Sequence, residues 1–402
     1  MVCCSDWKQW ISFFFTDLEM YEDVYRGQAH KKGLCDSICK FLDDPTESKA
    51  ENVYSNFFTS YWIGNSEKNP FLDLINKVSE YEQTASSLIR NQRDHYCHAV
   101  YVFITGLVIY QQSKKFRSDF EAYLVETKYK DAYTTKHEEF LYRWGLASLF
   151  HDVAYPLEIT IKQLNEYYNC TVSFGDVSTN KYLDVKGFEE YKICDSLKIE
   201  EKYRKEFVEK YEDLELLEKT DSCELLAMDL ASSLMLDYTK LIGELSVYDK
   251  KVSEGIIDHA YFGSLICMKW HSALINNSSW NPAYFYYPIL DVSSSIFLHN
   301  AYQHLIMKKF ERGKLKVNEK PVAFLLIFAD TLQEWNRKGY GISDTSICPF
   351  DDIDFEFSDD GGTLQISYVV NIDYPKNIYE SLDNILDISS LFNTLNIILI
   401  RR

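Results

Sequence analysis

His151 is followed directly by Asp152 at the end of an apolar helical pattern that runs through Phe140, Trp144 and Ala147. An imidazole and a carboxylate side by side at a helix end can point at one ion, and the carboxylate keeps an oxygen free for a second. Histidine is scarce, nine in 402 residues, so its place in apolar runs carries information. A polar ring in such a run must find a partner. His98 lies in one, with Val100, Phe103, Ile104, Leu107 and Val108 at helical spacing. Asp330 sits in the middle of another, VAFLLIFADTLQEW. A buried carboxylate is costly, so Asp330 needs a cation or donors nearby. The plainer readings are a helix-end pair that caps a turn, core histidines with ordinary partners, and Asp330 paired with a cation such as Arg337.

The pieces come in a fixed order: RDHYCHAVYVF around His98, LFHDVAYP around His151-Asp152, IDHAYFGSL with His259, SIFLHN with His299, and FADTLQEW around Asp330. This order resembles the six-ligand H…HD…H…H…D pattern of the HD superfamily of metal-dependent phosphohydrolases, over residues 90–340. Ala154 and Ala260 stand where the family often has glycine, and both replacements are small. The resemblance implies a first metal on His98, His151, Asp152 and Asp330, with Asp152 bridging to a second metal on His259 and His299. Mixed imidazole and carboxylate ligands suit Mn, Fe, Co, Ni or Zn better than Mg. Two such ions generate a bridging hydroxide and polarise a phosphoryl oxygen.

Other residues near these ligands are candidates for substrate work. His95 lies three residues before His98 and faces nearly the same way on a helix. It is a candidate general acid or substrate contact, the alternative being a hydrogen bond behind the ligands. Arg93 and Arg143 could neutralise a phosphate through the planar guanidinium fork, or form ion pairs on a helix. Asp94 could orient a ligand histidine. Tyr155 could stack a base or sugar at the rim of the pocket, or simply pack.

The elements that must position these groups read as mainly α: an HD-type helical bundle with an N-terminal helical region and a small C-terminal α/β appendage. Residues 1–85 form the N-terminal region, with a loop at 43–52 broken by Pro45. Residues 86–344 form the HD domain, with an insertion at about 159–250. Within that insertion, Thr171–Asp184 has some β character, and the charge-dense Lys198–Glu218 reads as a solvated helix. Further helices are expected over 225–245, 258–272, 292–312 and 320–337. Residues 345–402 form the appendage. In it Ile353, Phe355 and Phe357 alternate with polar residues, Asp359-Asp360-Gly361-Gly362 turns, and Leu364, Ile366, Tyr368 and Val370 alternate again, which predicts a β-hairpin. A helix over 376–396 is expected to follow.

Composition narrows the function. Lys and Arg total 42 against 61 for Asp and Glu, a formal net charge of −19, which argues against a nucleic-acid polymer as partner. The longest apolar stretch, Ala99–Tyr110, is too short to span a bilayer, and ten cysteines without a CxxC framework read as reduced thiols. A soluble, cytoplasmic protein with no membrane partner is expected. The leading expectation is a metal-dependent nucleotide phosphohydrolase, cleaving phosphoesters or anhydrides and favouring (deoxy)nucleoside triphosphates. The resemblance includes bacterial proteins that deplete deoxynucleotides, some in antiphage defence. The alternatives are a phosphodiesterase of cyclic mono- or dinucleotides, an alarmone hydrolase, and a nucleotide-sensing module without turnover. Homo-oligomerisation through the aromatic-rich N-terminal helices would fit control by a nucleotide activator.

Overall fold

The computed structural model describes residues 4–20, 24–61, 70–85, 92–126, 135–173, 187, 189–192, 221–276, 285–337, 339–340, 350–370 and 377–401. The chain starts with α1 (Cys4–Asp17), α2 (Val24–Asp43), α3 (Glu47–Ser60) and α4 (Pro70–Ala85). A two-residue strand, β1 (Gln92–Arg93), precedes α5 (Tyr96–Gln112), α6 (Lys114–Glu126) and α7 (Lys136–Phe150). Next come α8 (Tyr155–Ser173), α9 (Glu189–Lys192), α10 (Ser222–Leu234), α11 (Tyr238–Ser253), α12 (His259–Asn276) and α13 (Leu290–Ala301). The chain ends with α14 (Pro321–Leu332), β2 (Gly339–Tyr340), β3 (Phe350–Phe357), β4 (Thr363–Val370), α15 (Ile378–Asp383) and β5 (Thr394–Arg401). The protein is therefore mainly helical, with a small three-stranded sheet near the C-terminus. No helix among the described residues is long and apolar enough to cross a membrane. The chain divides into two units, Met1–Asp152 with Tyr302–Arg402, and Val153–Ala301.

The first unit is built around α5. Every residue from Tyr96 to Tyr110 is buried, as expected of a helix that is apolar on all sides. α7 lies against it at close range. The Trp144 indole donates to the Phe103 carbonyl at 2.8 Å, and a Cβ placed on Gly106 would come within 2.1 Å of the Trp144 ring. Only glycine lets the two backbones approach this closely. α7 starts where the Thr135 hydroxyl accepts from the Glu138 N–H, a standard N-terminal cap. α14 opens with Pro321 in its first turn, where the missing N–H costs nothing.

The C-terminal sheet has the order β3-β4-β5. The expected hairpin forms, with Ile353 opposite Tyr368 and Phe355 opposite Ile366. Its turn is held by Asp360, which accepts from the Gly362 N–H. Gly361 has φ of +70°, and a Cβ there would lie 2.4 Å from the Gln112 carbonyl at the end of α5. The inner face of the sheet packs on the first unit's aromatics, Trp7 against Phe355 and Trp335 against Tyr368.

Several expected boundaries are corrected. The helix over 376–396 is only Ile378–Asp383, and Thr394–Arg401 is instead a strand parallel to β4. Its isoleucines are β-branched, and ladder pairing with β4 outweighs the weak helical spacing. The single helix over 225–245 is two, because Met235 turns left-handed at φ 51° and Asp237 caps a new start. The helix over 292–312 ends its regular course at Ala301 and continues as a π-helical segment, Tyr302–Met307. α14 stops at Leu332 rather than 337, for a reason that belongs to the site below. The loop over 43–52 shrinks to three residues, since Thr46 leads straight into α3. Thr171–Ser173 end α8, and the rest of Thr171–Asp184 lies outside the described residues, as does Lys198–Glu218.

The α5–α7 contact predicts that Gly106→Ala destabilises the protein by about 1–3 kcal/mol in denaturant unfolding. The control is Gly243→Ala, in α11, where nothing lies within 4 Å of the new methyl. That change should be neutral or stabilise by up to about 1 kcal/mol.

Candidate metal centre

Three helices of the first unit bring their ligands together. His98 is on the first turn of α5, His151 caps the end of α7 with Asp152 after it, and Asp330 is near the end of α14. His98, His151 and Asp152 each offer a ligand atom within 4.8 Å of the others. His98 Nε2 is 2.9 Å from Asp330 Oδ1 and 4.0 Å from Asp152 Oδ2. His151 Nε2 is 3.2 Å from Asp152 Oδ2 and 3.7 Å from Asp330 Oδ1. Both rings and Asp152 are buried, while the Asp330 side chain is 30% exposed and forms the open side.

The far ring nitrogens fix the chemistry. His151 Nδ1 lies 2.8 Å from the Ser148 carbonyl, and His98 Nδ1 faces the Gln333 side-chain oxygen. Each partner only accepts, so each Nδ1 carries the proton. In the neutral rings both Nε2 atoms then present lone pairs toward carboxylate oxygens, which also only accept. Such a cluster is held together only by a cation, either a proton or a metal ion.

The protonation preferences match. Burial disfavours a charged His151, but Asp152 and Asp330 outweigh it and push its pKa up to about 10. Burial would raise both carboxyl groups, yet the facing imidazoles hold them well below the usual carboxylate range, His151 and His95 acting on Asp152, and His151 and His98 on Asp330. Two imidazole nitrogens and two carboxylates with tied-back Nδ1 atoms make a donor set that fits a divalent transition metal.

His95 stands beside this set. Its Nδ1 is 2.6 Å from Asp152 Oδ2. Burial lowers its pKa to about 4, against the pull of Asp152, so the ring is neutral and its Nδ1–H donates to Asp152. Arg337 adds to this lowering from its position after α14.

The second unit holds another pair by itself. His259 begins α12, and its backbone N–H and Nδ1 both meet Glu158 Oε2 of α8, at 2.8 and 2.7 Å. His299 on α13 turns its Nδ1 to the Ile296 carbonyl. The two Nε2 atoms lie 3.2 Å apart, again lone pair against lone pair when both rings are neutral. The Tyr155 ring stands edge-on to His259, 5.7 Å between centroids.

The remaining expected residues sit elsewhere. Arg143 is 1% exposed and donates to Glu139 Oε1 at 2.7 Å within α7. Eight residues separate it from His151, about 12 Å along the helix. Arg93 is in β1, paired with Gly339 of β2. Asp94 accepts from the Cys97 N–H and fixes the start of α5.

Two residues were missed. Gln333 is fully buried, takes the His98 proton on its oxygen, and donates its amide to the Trp335 carbonyl at 2.6 Å. That donation fixes which way the amide faces. It also ends α14, since the chain must fold back to offer the Trp335 carbonyl. The sequence signal was a glutamine three residues after Asp330 in an apolar run. Glu158 had no comparable signal, because it meets a histidine far away in the chain.

The chain was compared with models of known families, with curated proteins and with solved structures, and nothing matches in any of the three.

Two outcomes are expected. Gln333→Leu, which removes the acceptor for His98 Nδ1, lowers Mn²⁺ affinity about 10–100-fold, while Gln333→Glu retains it; isothermal calorimetry checks both. Metal binding also releases protons. His151 is protonated at neutral pH before the ion arrives and must lose that proton to ligate. Affinity therefore rises with pH, by up to about tenfold per unit below pH ~10. Calorimetry in buffers of different ionisation enthalpy measures the proton count.

Proposed function

We propose that this chain is a metal-dependent phosphohydrolase of the HD type, acting on nucleotides, with (deoxy)nucleoside triphosphates as the favoured substrates. The observation that carries the reading is the convergence of His98, His151, Asp152 and Asp330 in the first unit, in the ligand order of the HD pattern. The same reading gives a second ion to His259 and His299, whose Nε2 atoms face each other in the second unit.

A bound ion at such a site supplies Lewis-acid polarisation of a phosphoryl oxygen and a water activated at neutral pH. The chain's own residues supply the rest. Gln333 and the Ser148 carbonyl hold both ring protons on the far side, so His98 and His151 offer lone pairs to the ion. His95 stays neutral, tied to Asp152 through Nδ1, which leaves its Nε2 as the ring atom for exchanging a proton with substrate. Arg337, which acts electrostatically on His95, is a candidate to meet a substrate phosphate. The acidic balance of the chain disfavours polymeric nucleic acid and leaves small phosphates, whose charge the ion offsets.

The second reading is a phosphodiesterase of cyclic nucleotides or dinucleotides. What favours it is the His259–His299 pair, because the six-ligand pattern is at home in that chemistry. Antiphage nucleotide depletion, oligomerisation and control by a nucleotide activator are further proposals resting on the resemblance.

The test is metal content together with turnover of dNTPs, NTPs, cyclic mononucleotides and cyclic dinucleotides, singly and mixed, under added Mn²⁺. The expected result is transition metal bound to the wild type, triphosphate or pyrophosphate released, and a loss of at least about 10³-fold in Asp152→Ala. Ring opening of cyclic substrates selects the second reading. Bound nucleotide with no turnover of any would leave a sensing module instead.

A further inference from the structure

His259 and His299 hold their ring protons in different ways. His299 lies late in α13, and the Ile296 carbonyl one turn back accepts from its Nδ1. His259 is the first residue of α12, so no turn of its own helix precedes it to offer a carbonyl. Its backbone N–H is also one of the donors that a helix start leaves without an intrahelical partner. Glu158, in the first turn of α8, meets both needs with one oxygen. Its Oε2 accepts from the His259 backbone N–H at 2.8 Å and from Nδ1–H at 2.7 Å. A carboxylate is also the favoured group at a helix N-terminus. Two bonds from one oxygen, to the main chain and to the ring of the same residue, fix how that ring is turned. Asp258 ties the start of α12 to α13. Its Oδ1 accepts from the Tyr261 N–H and its Oδ2 from the Asn300 amide, each at 2.9 Å, and Asn300 follows His299 directly.

We propose that Glu158 is the positioning residue of the second ion. The proposal rests on the reading that gives this ion to His259 and His299, and adds the group that makes the pair able to ligate. With Oε2 accepting, His259 Nδ1 carries the proton and Nε2 the lone pair. The two Nε2 atoms are 3.2 Å apart. Two nitrogens about 2.1 Å from one ion are about 3.0–3.4 Å apart at octahedral to tetrahedral angles, so the pair already has the spacing of two ligands on one ion. Without Glu158, the His259 ring turns about its side-chain bonds and can carry its proton on Nε2, where it blocks the ion.

The experiment uses the full-length protein. Calorimetry with Mn²⁺ resolves the binding steps, and His299→Ala identifies the step that belongs to this pair. Glu158→Ala should weaken that step about 10–100-fold and leave the other unchanged. Glu158→Gln, whose amide oxygen can accept the same two bonds, should retain most of the affinity. Long-range proton–nitrogen NMR of the histidine rings in metal-free protein reads the tautomer without any ion, with the His259 signals assigned from His259→Gln. The wild type and Glu158→Gln should carry the His259 proton on Nδ1, and Glu158→Ala should lose that preference. Circular dichroism checks that each variant stays folded. A second step as tight in Glu158→Ala as in the wild type, or as weak in Glu158→Gln as in Glu158→Ala, overturns the proposal and leaves the second ion standing. A wild type that binds one ion or none overturns it together with the second-ion reading.

Discussion

The candidate centre depends on a clash of like partners. Two imidazole nitrogens and two carboxylates face one another where water is largely excluded, and in the neutral rings all of these atoms accept hydrogen bonds. No rearrangement of side chains alone would satisfy them, because the protons that could have helped are committed outward, to the Ser148 carbonyl and the Gln333 amide. A positive charge in the middle resolves the conflict. Without an ion, His151 takes that role by holding an extra proton, and the carboxylates stay ionised around it. With an ion, the same atoms become ligands.

Much of the first unit can be understood as support for this arrangement. Glycine at 106 lets α7 lie close on α5, which sets the distance between His98 and His151. The Tyr368 hydroxyl on β4 donates to the Leu332 carbonyl at 2.7 Å, at the last residue of α14. Trp335 follows, packed against Trp7, Tyr101 and Tyr368, and its carbonyl holds the Gln333 amide. The sheet, the first helix and the end of α14 thus lock the Gln333 side chain, which accepts from His98 Nδ1. The C-terminal sheet, set apart in sequence by composition, is continuous with the packing behind the ligands.

The candidate ligands were legible in the sequence because they break a local rule: a histidine or aspartate inside a helix that is otherwise apolar, such as His98 in α5 and Asp330 in α14. The β3–β4 hairpin was legible because strict alternation and an Asp-Gly turn leave little choice. What was not legible depends on partners distant in sequence. β5 forms because β4 offers it a parallel ladder, and nothing within residues 394–401 announces that partner. Gln333 orients His98, and Glu158 holds His259, only after folding brings them together. Arg143 is a phosphate-contact candidate by its nearness to His151 in sequence. Its place deeper along α7, paired with Glu139, could be known only from the packing of that helix.

The most direct test is anomalous scattering from crystals grown with Mn²⁺. The account predicts a peak in the first unit within about 2.0–2.3 Å of His98 Nε2, His151 Nε2 and oxygens of Asp152 and Asp330, with both Nδ1 atoms still turned to Gln333 and Ser148. Crystals that carry Mn²⁺ elsewhere, with these four side chains arranged as they are without it, would contradict the account.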